Sequence, residues 1–161
     1  MRARHLALVL MLAAIIYLPA EVFMFFKENI YCSPVRGRIV SNGEPLSGLI
    51  IERRILGVGL HDSKHQDQTK TDGQGNFSFP IVKNRTLFQP SLFASATLID
   101  QRIRLIHNGH TVLLWDYTKS DFESSTDANS SGSIISLNCD LAHIHEPKIP
   151  GALPFVKCNS K

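Results

Sequence analysis

The sequence predicts an all-β domain, an antiparallel β-sandwich of seven or eight strands, preceded by one N-terminal hydrophobic helix. Three observations lead there. From Val35 onward the chain runs as short apolar segments separated by turn residues. Tight-turn dipeptides recur, Asn42-Gly43 and Asn108-Gly109 being the strongest hairpin signals. After the first 27 residues no helical period extends over a useful length.

The leader comes first. Arg2 and Arg4 precede an apolar run from Leu6 to Pro19, followed by Ala20, Glu21 and a second apolar patch from Val22 to Phe26. A basic start followed by a hydrophobic stretch is how a secretory signal is built. Two readings stand side by side for residues 1–27: a signal peptide cut after Ala20, or a retained membrane anchor from Leu6 to Phe26. About 20 residues cross a bilayer, and Lys27 would mark its outer boundary. Either way the arginines stay in the cytoplasm and the rest of the chain is translocated. The expected location is the periplasm, or the inner membrane with the domain on its periplasmic side.

The expected strands follow in order. Val35 to Ser41 leads into the Asn42-Gly43 turn, and Leu49 to Ile55 comes next. Gln66 to Thr71 and Asn76 to Pro80 flank Asp72-Gly73-Gln74-Gly75, which reads as a second hairpin turn. In the latter strand Phe77 and Phe79 share a face, because side chains alternate. Ser95 to Ile99, Gln101 to His107, Thr111 to Tyr117 and Ile134 to Cys139 complete the set. The domain so defined spans 32–141. Residues 142–161, with Pro147, Pro150 and Pro154, read as an irregular tail.

Composition excludes some functions. A net charge of +3 in 161 residues is too small and too dispersed for nucleic-acid binding. Cys32, Cys139 and Cys158 all lie on the exported side, where a disulfide persists. Cys32 with Cys139 would clamp the first strand to the last, while Cys139 with Cys158 would pin the tail. Three single pairings are possible, each leaving one thiol over, and the sequence leaves all three open.

The run V-R-G-R-I-V-S-N-G-E-P-L-S-G-L-I-I-E-R from Val35 to Arg53, with T-D-G-Q-G-N-F-S-F-P from Thr71 to Pro80, resembles the carboxypeptidase-regulatory-like and transthyretin-like β-sandwich modules. The resemblance covers roughly Cys32 to Leu141. It is narrower to small exported bacterial proteins of unknown function that continue into a Q-x-I strand, a tryptophan strand and a C-D-L. Here those are Gln101 to Ile103, Trp115 and Cys139 to Leu141. The matching residues determine turns: Gly43 for a positive φ, Pro45 to preset the backbone, and Gly48 for close strand approach. Asp72 would bond its own turn amides and Gly75 would take the left-handed conformation. Leu49 departs from the small residue the wider pattern prefers. The resemblance implies a transthyretin-like (prealbumin-like) module that is not an enzyme.

No catalytic or cofactor motif emerges. His143 and His145 are the weak candidates for metal ligands, outweighed by a reading as tail histidines. His61, Asp62 and Ser63 have the residue types of a hydrolytic triad, but triads are assembled by folding, not adjacency. The Asp72 loop fails as a calcium loop, with Gln74 at a ligand position and Phe77 where a glycine belongs. Asp116, Asp121 and Glu123 read as a solvated strand end. Arg53, Arg54, Arg102 and Arg104 would form a basic patch if their strands were neighbours; outward-facing charges are the simpler expectation. Alternation puts Leu113, Trp115 and Tyr117 on one face, expected to be core, opposite Val112 and Leu114.

The functional expectation is an exported, non-catalytic module that recognises another protein, in one version an immunity-type protein. The contact surfaces would be edge strands and the loops Gly57 to Gln68 and Ser120 to Ser133. The alternative is a small-ligand or metal-binding periplasmic protein.

Overall fold

The computed structural model describes residues 27–57, 60–86, 98–107, 109–122, 127 and 134–160. The expected N-terminal helix, the start of the Ser95 strand and most of the Ser120 loop lie outside them. In chain order the strands are β1 (Lys27–Cys32), β2 (Val35–Ser41), β3 (Glu44–Pro45), β4 (Ile50–Leu56), β5 (Lys64–Lys70), β6 (Asn76–Phe79) and β7 (Val82–Thr86). They continue with β8 (Ile99–His107), β9 (His110–Lys119), β10 (Ile135–Asp140), β11 (Ile144–His145), β12 (Phe155–Val156) and β13 (Asn159–Ser160).

The fold is all-β, and its strands build a sandwich-like arrangement. One sheet has the order β11-β12-β9-β8-β4-β5, the other β13-β10-β2-β3 with β6 also paired to β2, and β1 with β7 forms a separate ribbon. Alternation explains the core. Ile51 and Ile55 of β4, Ile99, Ile103 and Leu105 of β8, Val35 and Ile39 of β2, and Ile135 and Leu137 of β10 turn inward into one cluster. Phe77 and Phe79 share its floor, as expected, their rings edge-to-face at 6.2 Å. Each such side chain contributes about 1.5–3 kcal/mol on full burial.

The Asn42-Gly43 turn joins β2 to β3 with φ of 52° and 85°, the left-handed pair a type I′ hairpin needs. The segment Asp72–Gly75 behaves differently from the expected hairpin. Strand β5 pairs with β4 in one sheet and β6 with β2 in the other, so this turn is a corner between sheets. Asp72 Oδ1 accepts from the amides of Gln74 and Asn76, both at 2.8 Å, and curls the chain. Gly75 stands at φ 79° where a Cβ would lie 2.3 Å from the Ile39 carbonyl oxygen, so both conformation and space demand glycine. Gly48 was expected to permit close strand approach. Nothing lies within 4 Å of its would-be Cβ, so only its φ of 76° calls for glycine, and the tight approach is instead at Gly37 under the Phe77 ring.

The sandwich is also not wholly antiparallel: β10 runs parallel to β2, Ile135 to Asp140 opposite Val35 to Val40. Parallel neighbours need a long crossover, which the intervening chain supplies. In β9 the expected strict alternation fails for a local reason. Leu113 pairs Arg104 and Trp115 pairs Ile103, leaving Leu114 as a bulge. Val112 and the bulged Leu114 face the core, Trp115 follows on the core side, and Leu113 points outward.

The tail is stitched down. Strand β12 pairs β11 and β9, and β13 pairs β10. A disulfide joins Cys139 of β10 to Cys158, which selects the tail-pinning alternative and leaves Cys32 a buried thiol. Closing a loop across a separation of 19 residues stabilises the fold by about 3 kcal/mol in the chain-entropy account. Cys158→Ser is therefore expected to lower the urea midpoint accordingly. Wild-type protein in strong reductant should unfold at the same midpoint as the variant.

Candidate functional site

Three places gather polar side chains, and two of them are inside. The first is Arg53, on the inner face of β4 and fully buried. Its Nε and Nη2 donate to the two carboxylate oxygens of Asp67 on β5, at 3.0 and 2.6 Å, and Nη1 donates to the Pro80 carbonyl at 2.6 Å. The guanidinium carbon also lies 4.8 Å from the centre of the Phe79 ring. Every face of this cation is therefore matched, which is the condition for tolerating a buried charge. Beside it, burial pushes the Cys32 thiol up to about 12, outweighing the opposing effect of Arg53. Such a thiol is a packing group, not a nucleophile. A cleft of about 340 Å³ opens at this edge, lined by Arg53, His65, Asp67 and Lys83 among others.

The second is Asp127, buried although it belongs to the stretch expected to be a solvated loop. Lys119 Nζ lies 3.0 Å from its Oδ1, Gln101 Nε2 donates to Oδ1 at 2.7 Å, and the Ser33 amide donates to Oδ2 at 2.8 Å. This carboxylate ties β8 and β9 to the segment that follows β1. Neither interior cluster presents a reactive group to a ligand.

The third is the outer face of the six-stranded sheet. Because β4, β8 and β9 are neighbours, their outward residues fall into rows. One row runs Gln66, Arg54, Arg102, Asp116, and the next runs Gln68, Glu52, Arg104, Leu113, Phe155, His145. Burial alone would raise the pKa of Glu52. Hydrogen bonds from Arg104, Gln68 and Gln66 more than offset this and hold it below the ordinary carboxylate value. Arg102 reaches Asp100 at 3.1 Å. Arg54 is the exception: its Nε is buried, and no hydrogen bond or ion pair ties its guanidinium to any described residue. At the far end of the second row, Phe155 remains 43% exposed with His145 stacked on it at 5.2 Å.

Of the residues expected to form the basic patch, Arg54, Arg102 and Arg104 do come together here, while Arg53 turns inward. His143 ends a short 3-10 turn and His145 lies on Phe155. Among the described residues no three His, Cys, Asp or Glu side chains converge as metal ligands would. His61–Ser63 is a 3-10 turn in which Asp62 and Ser63 both adopt positive φ. Residues 64–68 of the loop expected from Gly57 to Gln68 belong to strand β5. Glu123 lies outside the described residues. The buried roles of Arg53, Lys119 and Asp127, and the pairing of Arg53 with the half-buried Asp67, were missed, because ionisable residues in strands and polar loops read as solvated.

No curated protein matches the sequence. Among solved structures, the chain is similar to 3-chlorocatechol 1,2-dioxygenase from Rhodococcus opacus 1CP at TM-score 0.32 and 16% identity, over 79% of this chain and 58% of that one. It is similar to chlorocatechol 1,2-dioxygenase from Pseudomonas putida at TM-score 0.30 and 14% identity, over 87% and 59%. The chain thus spans less than two thirds of either enzyme's length. A family model covers residues 35–143, and the chain belongs to that family, DUF6795, a domain of unknown function.

Proposed function

We propose that this protein is an exported, non-catalytic recognition module of the bacterial envelope, which binds another protein through the outer face of its six-stranded sheet. The observation that carries the proposal is Arg54. It faces outward without a partner among the described residues and stands directly opposite a second cation, Arg102. Like charges opposed across strands destabilise a sheet. A partner carboxylate set between them would turn that cost into a charge-assisted, bidentate contact. The neighbouring Leu113 and Phe155 add an apolar anchor beside the charged row.

Export rests on the sequence of residues 1–27, with Arg2 and Arg4 ahead of the apolar run, and the Cys139–Cys158 disulfide is in keeping with an oxidising compartment. The transthyretin-like resemblance belongs to the same reading. An immunity-type protein, which blocks a toxin in the periplasm, is its most specific form.

The test is site-specific photo-crosslinking in intact cells, with the crosslinker placed at Gln66 or Thr118 on this face, or at Ser78 on the other sheet. A discrete adduct from Gln66 and Thr118 only is expected. Adducts from Ser78 alone would contradict the reading.

A further inference from the structure

The opposite, five-stranded sheet carries a second arrangement that the protein-recognition reading does not use. Val35, Ile39, Phe77, Ile135 and Leu137 take the inner face, so the intervening residues of β6, β2 and β10 point to solvent. Register places them in two rows. Ser78, Arg36 and Ser136 lie side by side across three strands, and Asn76, Arg38 and Asn138 form the next row. Each arginine is thus flanked on both sides by a short hydroxyl or amide side chain. These short neighbours leave a trough of about 610 Å³ over the sheet.

The donors in this trough are mostly uncommitted. The side chains of Arg36, Ser78, Ser136 and Asn138 bond to no other described residue. Arg38 uses only Nε, on the Gln74 carbonyl at 3.1 Å, which orients its guanidinium and leaves the other nitrogens free. Asn76 is the partial exception, its amide donating to Asp72 at 3.2 Å. Among the described residues that line the trough, Asp72 is the one carboxylate. Backbone and side-chain bonds from Asn76 and Gln74, with a smaller pull from Arg38, hold it below the usual carboxylate range. Lys70 adds a third cation at the other side of the rim.

We infer that this trough binds an oxyanion ligand, with carboxylate or phosphate groups carried at intervals along a hydroxylated chain such as an acidic glycan. Guanidinium groups suit both anions bidentately, and the flanking hydroxyls and amides suit the remaining lone pairs and neighbouring hydroxyls. Arg36 and Arg38 are two residues apart on one strand, about 7 Å, so two successive anionic groups can be held at once.

The experiment is an NMR and calorimetric titration of the folded full chain in detergent with three probes: inorganic phosphate, a tetrameric uronate, and a neutral tetrasaccharide of the same linkage. The uronate is expected to bind with shifts at Ser78, Ser136 and Asn138. Arg36→Ala and Arg38→Ala should each weaken it about tenfold, the size of one lost charge-assisted bond. Ser136→Leu fills the trough without changing charge and should weaken it comparably. Phosphate binding without uronate binding would support the oxyanion chemistry and assign it to a small free anion. Binding of the neutral sugar with equal affinity, unchanged affinity in both arginine variants, or no response to either anion at 10 mM (about the weak limit for a small-ligand site) would overturn the inference.

Discussion

Arg53→Ala is expected to destabilise the domain by about 3–5 kcal/mol, combining the loss of a large buried side chain with the loss of an ion pair to the partly exposed Asp67. The cause is what remains. Asp67 loses both of its guanidinium bonds, the Pro80 carbonyl loses its donor at 2.6 Å, and the Phe79 ring loses the cation above it. A cavity is left as well, because Arg53 is among the largest fully buried side chains. Urea unfolding followed by tryptophan fluorescence measures the effect, since Trp115 packs against the same core. Arg53→Lys should recover only part of it, because an ammonium cannot make the bidentate contact to Asp67 and still reach Pro80.

A comparable loss is expected for Lys119→Met, which takes the ammonium away from the buried Asp127 carboxylate while the bonds from Gln101 and the Ser33 amide stay. About 3–5 kcal/mol is again the scale. Adding Asp127→Asn should restore a good part of the stability, because the second change removes the charge the first left unpaired. A double-mutant cycle in urea reads this as non-additivity of several times the scatter between distant sites. Strict additivity would mean that Asp127 does not depend on Lys119.

Both cores of charge were hard to read from the chain, and for one reason. Sequence patterning locates apolar faces well: the alternation in β2, β6, β8 and β10 matched the inward residues, and Asn42-Gly43 gave a positive-φ hairpin as its chemistry requires. Strand β5, Lys64–Lys70, carries no large apolar residue, so nothing in its own composition shows that Asp67 receives a buried arginine from β4. Asp127 lies in a serine-rich stretch that reads as solvent-exposed. Long-range pairing was equally silent. The corner at Asp72–Gly75 has the composition of a hairpin, and only the partners of β5 and β6 in different sheets distinguish the two. Strands β1 and β7 show no long apolar alternation, and they pair with each other while Tyr31, Cys32 and Val82 reach into the core.

The candidate face was legible in part. The four arginines were visible as a potential patch, but whether they met depended on β4 and β8 being neighbours, which no local signal states. Periodicity does separate Arg53 from Arg54, since adjacent residues of a strand face opposite ways. The bulge at Leu114 is what makes Leu113 an outward, apolar neighbour of Arg104 while Trp115 returns to the core. A one-residue irregularity of this kind carries no sequence mark of its own.

The central claim is that the Arg54–Arg102 face is a protein-recognition surface. Its most direct test is native affinity purification of the full chain from cell envelopes, beside the Arg54→Glu/Arg102→Glu variant. Both substituted residues lie on the outer face, Arg102 exposed and Arg54 half-buried, and the unfolding midpoint checks that the variant folds. One protein recovered in stoichiometric amount with the wild type and lost with the variant is the result the account predicts. The same protein recovered equally with both, or no protein recovered with a folded wild type, would contradict it.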